Sequence, residues 1–227
     1  MRILAVDTSA VSCSVAVVKN RTVQAERTVA FGQSHNRHLM SLVQNTLAMA
    51  GAGLGDLDLL AVTRGPGSFT GVRIGLATVQ GLALASGKPV VAVSSLEALA
   101  LQAVDGDGPV AALIDARRGE VYQAVYRAAE GRMQTLAEEC VLSPEAAAER
   151  IPSPCRLVGS GIRAYAVRIG AQLGPGVCLG PPEDHLLRAS TVARLAWERM
   201  DQAVGPERLV PCYLRPALTR RPEVAKD

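Results

Sequence analysis

Four groups of residues in this chain have types and spacings that could do chemistry. The richest is Arg64-Gly65-Pro66-Gly67-Ser68-Phe69-Thr70-Gly71-Val72-Arg73-Ile74-Gly75, which an apolar run at 59–62 enters and a long helical pattern leaves. A strand–loop–helix junction of this kind presents unpaired backbone N–H groups at the positive end of a helix dipole, a natural place for an anion. The nucleotide motifs built on such a junction are not met. A Walker loop needs Lys and Ser/Thr after its second glycine, where Val72 and Arg73 stand, and Gly65, Gly67 and Gly71 miss G-x-G-x-x-G by one residue. Pro66 and Thr70 flank Ser68, so the hydrolase elbow G-x-S-x-G is absent too. A tight turn with Ser68 or Thr70 capping the helix also satisfies the pattern.

The helix that follows carries Gly71, Gly75, Thr78, Gly81 and Ala85. A glycine inside a helix costs about 1 kcal/mol relative to alanine, so several call for a reason. Close approach of another backbone, within the chain or from a second one, supplies it. His35 and His38 form the second group: at i and i+3 they share a helix face and could meet one metal. No Asp or Glu lies between His35 and Asp56, and the remaining histidine, His185, stands beside Asp184, so no third ligand is evident and no metal is expected. The last two groups, Asp7-Thr8-Ser9 and Asp115-Ala116-Arg117-Arg118-Gly119, each sit where a strand ends. Facing one another across a cleft they could hold phosphates or Mg²⁺. Against that, the first lacks glycine, the second carries bulky arginines, and Asp at a turn often serves its own hydrogen bonds.

These groups are spaced by a repeated order of elements. Apolar alternation predicts strands at 3–6, 13–18 and 22–28, a helix at 37–50, a strand at 59–63, a helix at 70–85, a strand at 90–93, and a helix begun by the capping box Ser94-x-x-Glu97. After Asp105-Gly106-Asp107-Gly108-Pro109 the order restarts: strands at 110–114, 120–126 and 133–141, a helix from Ser143-Pro144 to Arg150, a strand at 156–158, a helix at 161–173, a strand at 177–179 and a helix at 191–204. Both halves read βββαβαβα, each opening with an apolar strand that ends in Asp. The prediction is a duplicated α/β fold with a mixed sheet per half: an N-terminal lobe over 1–104, a C-terminal lobe over 110–204, and a tail over 205–227 packing back on the first lobe.

Composition narrows the function. At 3% aromatic, the chain lacks the stacking platforms of single-strand binders. A net charge of +3 is mild, and the one basic stretch (Arg215, Arg220, Arg221, Lys226) is diluted by Glu223 and Asp227, so it either touches RNA or stays solvated. Five cysteines with no C-x-x-C pair suggest neither zinc nor a disulfide framework. With no signal-peptide pattern and no long apolar run, a cytoplasmic protein with no membrane contact is expected.

Several segments together carry a family resemblance. Met1-Arg2-Ile3-Leu4-Ala5-Val6-Asp7-Thr8-Ser9, the 64–75 block, Ile114-Asp115-Ala116-Arg117-Arg118-Gly119-Glu120-Val121-Tyr122 and Pro211-Cys212-Tyr213-Leu214-Arg215 resemble the TsaB family, also called YeaZ, nearly end to end. The resemblance implies the duplicated fold of the actin/hexokinase/sugar-kinase superfamily. It also implies a role in forming N6-threonylcarbamoyladenosine at position 37 of tRNA. There the family acts as a non-catalytic dimerisation subunit for a TsaD-like transferase, joined by a TsaE-like P-loop ATPase, and it forms homodimers when alone. No cofactor is required on this reading, with ATP, ADP or Mg²⁺ bound weakly at most, and tRNA is met through the complex. Carried over by position, the dimer interface falls on Gly71, Arg73, Ile74, Gly75 and Thr78, and a vestigial nucleotide cleft on Asp7, Thr8, Ser9, Asp115 and Arg117. The rivals are an ATPase or kinase using the two aspartates, and a glycoprotease-like peptidase. The second fits poorly, because His35 and His38 are one residue too close for the H-x-x-x-H of the catalytic paralogue.

Overall fold

The computed structural model describes residues 1–30, 35–129 and 132–215, with 35–37 as backbone only. Strand β1 (Arg2–Asp7) is buried from Ile3 onward and forms the centre of the first sheet. It pairs antiparallel with β2 (Ser12–Lys19), which pairs antiparallel with the edge strand β3 (Thr22–Ala30). On its other side β1 pairs parallel with β4 (Leu59–Thr63), and β4 with β5 (Val90–Val93). Every residue of β4 is buried, as expected of a parallel strand covered on both faces.

The second sheet repeats this plan. β6 (Pro109–Arg117) is its centre, β7 (Glu120–Ala129) and β8 (Arg132–Leu142) follow antiparallel on one side, and β9 (Cys155–Val158) and β10 (Val177–Leu179) run parallel on the other. The predicted duplication is therefore present strand for strand.

The helices are α1 (His35–Met49), α2 (Phe69–Ser86), α3 (Ser95–Gln102), α4 (Pro144–Glu149), α5 (Ser160–Ala164), α6 (Ala166–Gly170) and α7 (Ala189–Glu198). Two differ from the sequence reading. The helix expected over 161–173 is two short ones broken at Tyr165 (φ −130°, ψ 29°), whose hydroxyl reaches the Asp115 carboxylate at 3.1 Å. The helix expected over 191–204 stops at Glu198, because Arg199 leaves the helical region and its guanidinium pairs with Glu97. The same pair alters the predicted capping box: Ser94 Oγ accepts from the N–H groups of Leu96 and Glu97, but the Glu97 carboxylate turns to Arg199.

Packing crosses the chain division at 105–109. α3 lies against β6 and β7, whereas α7 lies against β1, β2, β4 and β5. The two helices fill the layer between the sheets, so Ile3, Leu99, Ala112, Ile114 and Val192 share one apolar core. α1 and α2 cover the outer face of the first sheet; α4, α5 and α6 cover that of the second. The chain after α7 binds both lobes. Val204 bridges Val90, Leu209 is buried in the α1–α2 core, the Cys212 N–H donates to the Arg64 carbonyl at 2.7 Å, and Arg215 donates to the Ala116 carbonyl and pairs with Glu120.

Candidate functional site

The first turn is held by hydrogen bonds converging on one carboxylate oxygen. Asp7, fully buried, accepts at Oδ1 from the Ser9 N–H (3.1 Å), the Ser9 hydroxyl (2.6 Å) and the Thr63 hydroxyl (2.7 Å). Thr8, also buried, donates its hydroxyl to the Gly71 carbonyl at 2.7 Å. The glycine-rich loop is folded onto this turn. The Ser68 N–H donates to the Ser9 carbonyl at 2.7 Å, and Ser68 Oγ caps α2 by accepting from the Gly71 N–H at 3.2 Å.

A Cβ built at Gly67 would collide with the Ser9 carbonyl oxygen, one at Gly71 with that of Thr8, and one at Gly75 with the Thr8 hydroxyl. These glycines therefore admit the β1–β2 turn. Gly71 and Gly75, expected at an interface, are buried in this chain and lie against Thr8. Arg73 is exposed and Ile74 and Thr78 are half-buried, so these three remain at the open side of α2.

The second turn is built differently. Arg118 and Gly119 form a two-residue connection between paired Arg117 and Glu120, both at positive φ (+56° and +79°), which matches the right-handed twist of the hairpin. Asp115 accepts from the Arg117 N–H (2.8 Å) and the Tyr165 hydroxyl (3.1 Å), and its other oxygen pairs with the Arg117 guanidinium at 3.3 Å. Burial, reinforced by that carboxylate, pushes the Tyr165 hydroxyl up, which keeps its proton in place as a donor. The glycine device recurs here: at Gly159 a Cβ would collide with the Leu113 carbonyl.

Between the lobes lies a cleft of about 1150 Å³ that both turns line. Of the five predicted cleft residues, Ser9, Asp115 and Arg117 reach its wall, while Asp7 and Thr8 are buried behind it. Arginines 73, 117, 118, 163 and 215 line it against the single carboxylate of Asp115. Arg118 and Arg163 have no hydrogen-bond or ion-pair partner among the described residues. The walls suit an anion. Asp115, the one carboxylate on these walls, is held by Arg117 and Tyr165. Among the described residues no three His, Cys, Asp or Glu side chains converge.

His38 is exposed on α1, and the side chain of His35 lies outside the described residues, as do Arg220, Arg221 and Lys226. His185 accepts from the Gly159 N–H at Nδ1 (3.0 Å), with Nε2 3.1 Å from the Gly180 carbonyl, a role in holding the Gly159 loop.

Two features escaped the sequence reading. Phe69 stacks on Tyr213 with centroids 5.4 Å apart, while Arg73 lies 3.7 Å over the Phe69 ring and donates to the Tyr213 hydroxyl at 2.7 Å. In a chain so poor in aromatics, one in each of two family-like motifs was the available signal. The second is the part of Ala77 and Leu84 in the open face of the expected interface helix α2, where they are exposed beside Arg73, Gly81 and Ala85, Leu84 by 74%. No described helix is long and apolar enough to cross a membrane.

Comparison with known proteins agrees with this geometry. A family model described as TsaD, tRNA N6-adenosine threonylcarbamoyltransferase, matches residues 25–168. The tRNA threonylcarbamoyladenosine biosynthesis protein TsaB of Escherichia coli is 38% identical over 223 residues, 95% of each chain. The solved YeaZ of Pseudomonas aeruginosa is 36% identical and superposes with a TM-score of 0.80, covering 94% of this chain and 99% of that one. The ADPNP-bound activator of 2-hydroxyisocaproyl-CoA dehydratase from Clostridium difficile shares the fold at 12% identity (TM-score 0.52, covering 89% of this chain and 96% of that one). The chain belongs to the TsaB (YeaZ) family of tRNA threonylcarbamoyladenosine biosynthesis proteins.

Proposed function

We propose that this chain is a cytoplasmic, non-catalytic subunit that dimerises with and activates a TsaD-like transferase in tRNA threonylcarbamoyladenosine formation. A TsaE-like ATPase joins the pair, tRNA is met through the complex, and the chain pairs with itself when alone. One observation carries this reading. The 18 residues of α2 contain a single ionisable side chain, Arg73, yet one face of the helix is exposed along Ala77, Gly81 and Leu84. A surface helix ordinarily turns charged and polar residues to water, so an open apolar stripe favours a protein partner. Arg73, Ile74 and Thr78 border that stripe. The commitment of Asp7 and Asp115 to internal hydrogen bonds favours a scaffold over a catalyst. Activation then means that binding favours the partner's competent conformation.

The test is co-expression with a TsaD-type transferase, comparing the natural chain with Gly81→Glu and Leu84→Glu. A Cβ at Gly81 has nothing within 4 Å, so both variants should fold while losing co-elution and support of transfer. Co-elution of either folded variant at natural yield overturns the interface. A second reading, weak ATP or ADP binding in the interlobe cleft, is favoured by the unpartnered Arg118 and Arg163. Calorimetry with ADP, with and without Mg²⁺, tests it: affinity independent of Mg²⁺ and reduced by Arg118→Ala is expected, and no heat refutes it.

A further inference from the structure

A second cleft, of about 540 Å³, opens where the start of α3 and strands β7 and β8 meet the chain after α7. Its walls differ from those of the interlobe cleft. Three arginines (Arg64, Arg199, Arg208) stand with three glutamates (Glu97, Glu138, Glu139), so the site is balanced in charge.

Part of this set is internally paired. Glu97, 7% exposed, binds the Arg199 guanidinium. Ser94 and Tyr126, both buried, donate their hydroxyls to the same oxygen of Glu139, Oε1. Burial, then the Glu139 charge, pushes the Tyr126 hydroxyl up, so it stays a donor and fixes the carboxylate in one orientation. What is left over is specific. Glu139 Oε2 accepts no hydrogen bond among the described residues, Glu138 has no partner there, and neither do the guanidinium groups of Arg64 and Arg208.

These unfilled groups select a ligand class. A phosphate would meet the two left-over carboxylates, a metal ion the two left-over guanidiniums, and an apolar ligand a polar wall. A small molecule with both signs of charge meets each group with its complement. Guanidinium is a planar fork that matches a carboxylate, and a fixed carboxylate oxygen accepts from an ammonium. We propose that this cleft binds a small zwitterion of the α-amino acid class, its carboxylate on Arg64 and Arg208 and its ammonium on Glu139 and Glu138. Val210 and Leu214 along the same wall would receive an aliphatic side chain.

The experiment is calorimetry and saturation-transfer NMR on the full chain with glycine, L-threonine and L-leucine, and with the N-acetyl and carboxamide derivatives of the best binder. Saturable binding is expected, roughly millimolar or tighter, weakened at least tenfold when either charged end is capped. Arg64→Gln should abolish discrimination against the carboxamide, and Glu139→Gln discrimination against the N-acetyl form. Glu139→Gln keeps an acceptor for Ser94 and Tyr126, so folding should persist; a thermal melt checks it. If Arg64→Gln fails to fold, Arg208→Gln serves for the carboxylate end. Absence of saturable binding, equal binding of capped ligands, or unchanged affinity in a folded variant overturns the assignment.

Discussion

Two glycines of α2, six residues apart, should respond to alanine with opposite signs. At Gly75 the added Cβ would fall on the Thr8 hydroxyl, closer than real Cβ contacts come. To admit it, Thr8 must rotate and release its buried bond to the Gly71 carbonyl. Leaving those groups unsatisfied costs about 1–3 kcal/mol, and overpacking beside β1 costs about 1–3 kcal/mol more. Helix propensity returns only about 1 kcal/mol, so Gly75→Ala should lose roughly 1–5 kcal/mol. At Gly81 nothing lies within 4 Å of the Cβ, so only propensity acts and Gly81→Ala should gain up to about 1 kcal/mol. Urea unfolding by circular dichroism reads both, provided the slopes match the natural chain. Thr8→Ala adds a control: it removes the colliding oxygen, so in the double variant Gly75→Ala should cost measurably less. A Gly75→Ala protein as stable as Gly81→Ala would refute the account of why the helix carries these glycines.

The other expectations concern chemistry and electrostatics. Burial, with the Asp7 charge adding, pushes the Cys13 thiol up to about 12, and burial pushes Cys155 to about 11, whereas Cys178 is exposed. Alkylation near neutral pH with peptide mass spectrometry should therefore label Cys178 first, and Cys13 and Cys155 only after denaturation; early labelling of Cys13 would contradict the core packing. Arg168 grips Glu145 through two bonds of 2.6 and 2.7 Å, and its hydrogen bonds hold the carboxyl at about 2 instead of 4.5. A depressed folded value means that the stabilisation is present above the ordinary value and fades as pH falls toward about 2. The pair is exposed, so the effect should be small and screened by salt; Glu145→Gln should flatten the acid limb of a melting profile, and an unchanged limb at low salt argues against it. Arg215→Ala should loosen residues 212–215 from the β6–β7 hairpin, read as faster amide exchange at Cys212, whose N–H bonds the Arg64 carbonyl. Unchanged protection would show that this bond alone holds the segment.

What the sequence made legible was mostly local. Apolar alternation marked the strands, and the double βββαβαβα order marked the duplication, because each strand's burial is written in its own residues. What it hid depends on partners far along the chain. The break at Tyr165 accompanies a contact with Asp115, 50 positions away, and Arg199 leaves its helix to meet Glu97, 102 positions away. The crossing of α3 and α7 onto opposite sheets is likewise invisible to periodicity. The glycines show the same limit. Their need for a close neighbour was readable, but that Thr8 lies against Gly71 and Gly75 was not. Asp7 and Asp115 were found as strand-end acids; that Asp7 Oδ1 and the Asp115 carboxylate are engaged inside the fold needed coordinates.

The central claim is that the open face of α2 holds a TsaD-like transferase, and a matched pair of substitutions tests it most directly. Gly81→Ala and Gly81→Glu alter one exposed position where a Cβ meets nothing. Calorimetric titration of each into the purified transferase should leave Gly81→Ala near the natural affinity. It should weaken Gly81→Glu at least tenfold, about 1.4 kcal/mol, with both chains melting no lower than the natural one. Equal affinity of the two folded variants for the transferase would contradict the account.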